Sequence, residues 1–373
     1  MLNWYWLYAY FFILATVLSL IAVPGVMALA VRWNIVDKPG ARKIHSTPKP
    51  LLGGVAIYLT FVIVVLGHIA ALFLFNEQPW LQQLAPTVVR QLPRFELVLP
   101  KLLLILGSST FLLIIGILDD ALKDRFSYKW KFVGQFVAAI VLVLGGVRTE
   151  FMPGYLLDIV VSVIWIVGIT NSFNLLDNMD GLSAGVAVIA AVIFSIVMLF
   201  QHQLFMALIL IALAGSALGF LRYNFKPSRL FMGDSGSLFL GIMFGALTLE
   251  GSYPVATSYS LIPVVMPVVI LSIPLYDTFS VIFIRLKEKR PVFVGDNSHF
   301  SHRLVALGFS QRGTVLFIYL VAVCVGCGAA LLPYIPVWGN IVVLVQTIII
   351  YTLITALMVI SKHRKTENGK RTK

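Results

Sequence analysis

The chain has 373 residues and a formal net charge of +12, but only 12% of its residues are charged and 59% are hydrophobic. Soluble globular domains carry about 25% charged residues, so this balance excludes an ordinary soluble enzyme. The positive excess invites a nucleic-acid reading, which its distribution along the chain argues against.

Apolar runs of about 18 residues or more, each long enough to cross a bilayer as a helix, recur along the sequence. In chain order they cover 5–31, 51–75, 100–118, 129–148, 155–172, 182–200, 204–222, 235–250, 261–285, 314–334 and 338–360. The run 235–250 is short. Lipid offers backbone groups no hydrogen-bond partner, and the pattern lacks the alternation of a barrel, so helices are expected. The first run opens "MLNWYWLYAYFF", with interfacial Trp and Tyr but no basic segment or cleavage site, and is expected to be a retained helix. Loop 76–99 is rich in Pro and Gln and reads as a connector. Cys324 and Cys327 lie in the tenth run without a second ligand pair nearby, and are expected to be buried, inert thiols. The expected fold is therefore an all-α integral membrane protein of about eleven transmembrane helices. It comprises one membrane domain, 1–361, and a basic tail, 362–373.

Of the 28 Lys and Arg residues, 24 fall in loops 32–50, 119–131, 222–229 and 285–312 and in the tail 361–373. All 24 share one side if the N-terminus is outside and eleven helices alternate. That is the positive-inside bias, and it places these loops and the C-terminus in the cytoplasm. The tail "SKHRKTENGKRTK" is expected to lie against anionic lipid headgroups.

The same topology gathers four polar clusters at cytoplasmic helix ends: "LDDALKD" (118–124), "NSFNLLDNMDGLSAG" (171–185), "RYNFKPSRLFMGDSGS" (222–237) and "GDNSHFSHRL" (295–304). Ionisable residues within membrane segments cost roughly 2.5–3.5 kcal/mol each, so they need a reason. If 171–178 is helical, Asn171, Asn174 and Asn178 share a face beside Asp177 and Asp180. Amides beside carboxylates suit a ligand with donors and acceptors, such as a nucleobase or a sugar amide; the bland alternative is interhelical hydrogen bonding. Asp119 and Asp120 would repel unless a cation relieved them. Magnesium suits carboxylates and phosphate oxygens, with manganese as the substitute, and zinc would want His or Cys. Asp234, between glycines before a helix, suits a second metal ligand beside donor-rich Gly233, Ser235, Gly236 and Ser237, or a simple N-cap. His299, His302 and Arg303 would cradle a pyrophosphate. In the first basic loop, Lys43 and His45 are weaker candidates.

Together the four motifs resemble the polyprenyl-phosphate N-acetylhexosamine-1-phosphate transferases over roughly residues 30–312. The resemblance rests on "DD" at 119–120, "NSFNLLDNMDGL" at 171–182, "NFKPSRLFMGDSGS" at 224–237 and "SHFSHRL" at 298–304. It implies transfer of sugar-1-phosphate from a UDP-N-acetylhexosamine to undecaprenyl phosphate, releasing UMP. It also implies a multi-pass enzyme of the bacterial inner membrane, with its site on the cytoplasmic face and homodimerisation allowed. By resemblance, Asp119 and Asp120 are the catalytic pair near the lipid phosphate, and Asp234 with Asp120 holds magnesium. Asn171, Asp177, Asp180, Asn224, Phe231, Lys131, His299, His302 and Arg303 are substrate-side. The last motif is similar to the H-x-H-H pattern of the N-acetylglucosamine branch, with Ser301 in place of the middle His. The expected mechanism is attack of the lipid phosphate oxygen on the β-phosphorus, or a two-step route through an aspartyl phosphate. The rivals are an Asp-rich membrane prenyltransferase, for which "FMGDSGS" is a poor match, and a transporter or flippase, which would line a path accessible from both sides. The glycan fed, whether O-antigen, teichoic acid or capsule, is left open.

Overall fold

The computed structural model describes residues 4–39, 47–150, 152–251, 262–291 and 298–371, without the side chains of 94, 124, 262, 263 and 361–371. It is almost wholly helical, with one two-residue antiparallel ladder, β1 (Val36–Asp37) on β2 (Lys49–Pro50). Contacts divide the chain into two compact units, Met1–Ser252 and Tyr253–Lys373. The sequence places no boundary inside 1–361, because both sides are equally apolar and composition does not change across it.

The first unit holds α1 (Trp4–Arg32), α2 (Gly53–Phe75), the short α3 (Pro79–Leu84) and α4 (Pro86–Val89), α5 (Leu92–Leu122), α6 (Tyr128–Leu144), α7 (Tyr155–Leu176), α8 (Leu182–Phe200), α9 (Leu204–Asn224) and α10 (Gly233–Glu250). At its centre is α10, packed against α2, α5 and α7, with every residue from Ser235 to Thr248 buried. A helix apolar on all sides belongs in such a core. Small residues let its neighbours approach: a Cβ on Gly116 of α5 would overlap the Ser235 backbone. Around this core, α9 packs on α1, α2 and α8, and α6 packs on α5 and α7. The second unit holds α11 (Ile262–Ile270), α12 (Ser272–Lys287), α13 (Phe300–Ala306), α14 (Gln311–Leu331) and α15 (Val337–Arg371). The backbone of the expected tail thus continues α15 as far as Arg371.

Among the described residues, eight helices are long and apolar enough to cross a membrane: α1, α2, α5, α7, α8, α9, α14 and α15. A ninth span is available if α11 and α12 count as one, but they are bent by 79°. The expected single helix 261–285 is therefore broken. Prolines explain the break, with Pro267 inside α11 and Pro274 in the first turn of α12. The expected spans 129–148 and 235–250 are helices of 17 and 18 residues, α6 and α10, and fall outside the eight.

Both nonetheless pack alongside α5. Lys131 at the start of α6 and Asp234 at the start of α10 meet the end of α5, while Glu250 at the end of α10 meets Lys101, in the first third of α5, at 3.0 Å. From Lys101 to Asp119, α5 rises about 27 Å, close to a hydrocarbon core. Outward-facing Val133, Phe136, Val137, Ile140 and Val141 give α6 an apolar flank. Cys324 and Cys327 are free but lie on the exposed flank of α14, not buried as expected.

Candidate active site

Four helix ends of the first unit meet at one cluster. Lys123, with φ 52°, closes α5 just after Asp119 and Asp120, and Ser127 caps α6 by accepting from the Lys129 backbone at 3.3 Å. This tight turn returns Lys131 toward the end of α5. Its ammonium lies 3.2 Å from Asp119 Oδ2 and 2.7 Å from Asp234 Oδ2, bridging two carboxylates from different helices. Asn174, in the last turn of α7, donates to Asp234 Oδ1 at 3.1 Å and to Ser237 Oγ at 2.9 Å. The side chains of Lys131, Asp119 and Asp234 keep 21%, 19% and 24% of their surface, enough for a small anion to reach them.

Asp120 has a different place. Only 6% exposed, it accepts from the backbone N–H of Asp234 at 2.9 Å and of Ser235 at 3.1 Å. It therefore caps the N-terminus of α10 from another helix, where a carboxylate also meets the positive end of the dipole. Gly233 makes this fit: its φ is +74°, and a Cβ there would overlap the Asp120 carboxylate. The pair expected to share one role is divided, with Asp119 on the lysine and Asp120 on the loop that carries Asp234.

The stretch 171–180 also differs from a continuous polar stripe, because α7 stops at Leu176. Asn174 points into the cluster. Asn171 donates to Gln135 of α6 and to the Val167 carbonyl, and Asn178, past the helix end, folds back on the Leu175 carbonyl. Burial, then the proximity of Asp234, Asp120 and Asp180, holds the Asp177 carboxyl well above the usual carboxylate range. Asp180 accepts from the Ser228 backbone at 3.2 Å.

Asn224, expected on the substrate side, spends its amide on the backbone. Its oxygen accepts from Gly181 N and its nitrogen donates to the Leu230 carbonyl, both at 2.9 Å, and it is 3% exposed. It staples the loop after α7 to the loop before α10. Phe231 is half-buried, and its backbone pairs with Pro50 and Gly53. Lys49 secures the same loop through the Ser228 carbonyl at 2.8 Å.

His299, His302 and Arg303 belong to the second unit. His299 Nδ1 lies 2.8 Å from Asp277 Oδ2, its ring meets that of His302 edge-on, and Arg303 bonds Ser280 of α12. Ser301 is 1% exposed, inside the first turn of α13. Lys43 and His45 lie outside the described residues. Sequence reasoning missed Gln135 and Asp277. Gln135 is the single polar residue between Lys131 and the end of α6 and falls one turn after Lys131, on its face; Asp277 is the single acidic residue of the run 261–285.

Among the described residues, no three His, Cys, Asp or Glu side chains surround one point as a protein-only metal cage would. The donor chemistry still fits a hard cation. Asp119, Asp120, Asp177 and Asp234 stand against the single ammonium of Lys131, and magnesium takes one or two carboxylates with substrate oxygens completing its shell.

Carboxylates, an amide and one ammonium, held half-open at four helix ends, form the candidate site of a multi-pass helical membrane protein. The sequence model of Glycosyl transferase family 4 matches residues 102–252, from α5 through α10. The chain is 34% identical to a probable undecaprenyl-phosphate N-acetylglucosaminyl 1-phosphate transferase of Bacillus subtilis, over 92% of this chain and 90% of that protein. It is 33% identical to a decaprenyl-phosphate N-acetylglucosaminephosphotransferase of Mycobacterium leprae, over 85% and 81%. It is 25% identical to an undecaprenyl-phosphate alpha-N-acetylglucosaminyl 1-phosphate transferase of Salmonella typhimurium, over 87% and 84%. The chain belongs to the polyprenyl-phosphate N-acetylhexosamine-1-phosphate transferase family.

Proposed function

We propose that the protein transfers N-acetylglucosamine-1-phosphate from UDP-N-acetylglucosamine to undecaprenyl phosphate, releasing UMP, at the cytoplasmic face of a bacterial inner membrane. The observation that carries this is the Asp119–Lys131–Asp234 bridge, a cation between carboxylates at an accessible helix-end site. The names of the relatives supply the sugar and the lipid class.

Asp119 and Asp234 would hold magnesium, which when bound neutralises the pyrophosphate and the departing phosphate. Lys131 stands between those carboxylates, ready to turn to an incoming phosphate oxygen. Asn174 fixes the rotamer of Asp234. Asp120 sets the loop on which Asp234 rides and so acts by positioning. A phosphate oxygen is ionised near neutral pH and needs little activation, so relief of anion repulsion is the main task of these side chains.

Topology supports the cytoplasmic face. The site sits at the end of α5 beside basic loop 119–131, and α6 and α10 both start at that end and pack alongside α5. Counted with them, eleven spans and an outside N-terminus keep 24 of the 28 basic residues on one side.

The test is direct. Purified protein is incubated with undecaprenyl phosphate, magnesium and a panel of UDP-sugars, and UMP is measured. UMP with UDP-N-acetylglucosamine, dependent on the lipid and abolished by EDTA, is expected. Folded protein that yields no UMP with any sugar would overturn the proposal.

A further inference from the structure

Asp277 lies midway along α12, in "SIPLYDTFSVIFIRLK", and is fully buried. A carboxylate is costly there unless it is bonded. Both its oxygens are used. Oδ1 accepts from the Phe300 backbone N–H, and Oδ2 faces His299 Nδ1 at 2.8 Å. The same helix holds the motif at a second point, since Arg303 bonds Ser280. So three residues of "SHFSHRL", His299, Phe300 and Arg303, are anchored to one face of α12.

The two oxygens do different things. The bond to Phe300 fixes the start of α13 and would need only a neutral acceptor. The bond to His299 decides the chemistry of the ring. With Nδ1–H donated to Asp277, Nε2 is the atom left to meet another group. Nε2 has no hydrogen-bond partner among the described residues, whereas His299 as a whole is 5% exposed. The imidazole is thus held in one orientation with one nitrogen uncommitted, and in the doubly protonated ring that nitrogen is an N–H able to donate to an anion.

We propose that Asp277 is a positioning residue for the transfer, fixing His299 so that Nε2 addresses an anionic oxygen of the substrate. This rests on the reading of His299 as a phosphate-side residue, so the experiment separates the two. UMP release by the full-length protein gives kcat and KM for UDP-N-acetylglucosamine in wild type, Asp277→Asn, Asp277→Glu, His299→Gln and the double variant Asp277→Asn/His299→Gln. Nitrogen-15 NMR of histidine-labelled protein reports which ring nitrogen of His299 carries the proton.

Asp277→Asn is expected to lower kcat roughly 10- to 100-fold, as loss of a histidine-orienting partner does, with KM little changed. Asp277→Glu is expected to recover part of that loss. The double variant should be no slower than His299→Gln alone, because the two act as one unit. Wild-type His299 should show a hydrogen-bonded Nδ1–H. A His299→Gln enzyme at wild-type rate would overturn the phosphate-side reading itself. An impaired His299→Gln beside an unimpaired Asp277→Asn would overturn the role of Asp277 alone. So would losses that multiply in the double variant, since they would show Asp277 acting through the fold. If Asp277→Asn does not fold, Asp277→Glu and the wild-type spectrum decide, and a proton resident on Nε2 with bare Nδ1 would overturn the proposal.

Discussion

At Lys131 one ammonium is asked to serve two carboxylates, and its removal has a definite consequence. Lys131→Met leaves Asp119 and Asp234 facing each other without a cation, and takes away a donor that can turn to the substrate. Activity should fall about 10²- to 10³-fold, the usual cost of one preorganised electrostatic donor. UMP release measured at saturating magnesium checks this, and a variant within a few fold of wild type would remove Lys131 from the machinery. Asp119 and Asp120, though adjacent, should separate in a different measurement. Asp119→Asn should weaken Mn2+ binding, read by electron paramagnetic resonance, because its Oδ2 shares the ammonium with Asp234. Asp120→Asn should leave that binding nearer to wild type but lower kcat, because its oxygens hold the Asp234 and Ser235 N–H groups. Equal loss of Mn2+ affinity in both would make Asp120 a ligand, as the resemblance implies.

At the scale of elements, the site depends on how closely α5 and α10 approach. Gly116 meets the Ser235 backbone with no room for a side chain, so Gly116→Val forces the helices apart. Overpacking of this kind costs about 1–3 kcal/mol. A lower thermal midpoint in detergent, accompanied by lost activity, is expected; unchanged stability would mean that α5 and α10 do not meet closely at Gly116. The carboxylates were legible in the sequence because charge inside apolar runs stands out. Their partners were less so. The shared face of Asn171, Asn174 and Asn178 assumed a helix continuing to 178, but α7 ends at Leu176, and only Asn174 reaches Asp234. The resemblance sets Asn224 on the substrate side, and in the structure its amide also completes two loop backbones, a need the sequence does not display. The break between α11 and α12 did carry a signal, in Pro267 and Pro274.

At the scale of the whole molecule, parity makes the set of bilayer-crossing helices testable. Length and apolarity select eight helices, or nine with the bent pair, and leave out α6 and α10. The geometry of the first unit argues for including them, since α6 starts and α10 starts beside the end of α5 while α7 also ends there. If α5 and α7 both finish at one face, α6 must carry the chain back between them. Single cysteines in a background lacking Cys324 and Cys327 would decide the matter, probed in spheroplasts with a membrane-impermeant maleimide. Gln82→Cys, between α2 and α5, should label from outside, and Lys289→Cys, after α12, only after permeabilisation. Glu150→Cys, between α6 and α7, is the discriminating position. It should label from outside if α6 crosses, whereas protection until permeabilisation would mean that α6 does not. In that case the end of α7 would lie on the opposite face from the end of α5, and Asn174 could not reach an Asp234 that Lys131 also holds. Labelling at Glu150 thus tests the eleven-span topology and the single-site geometry together.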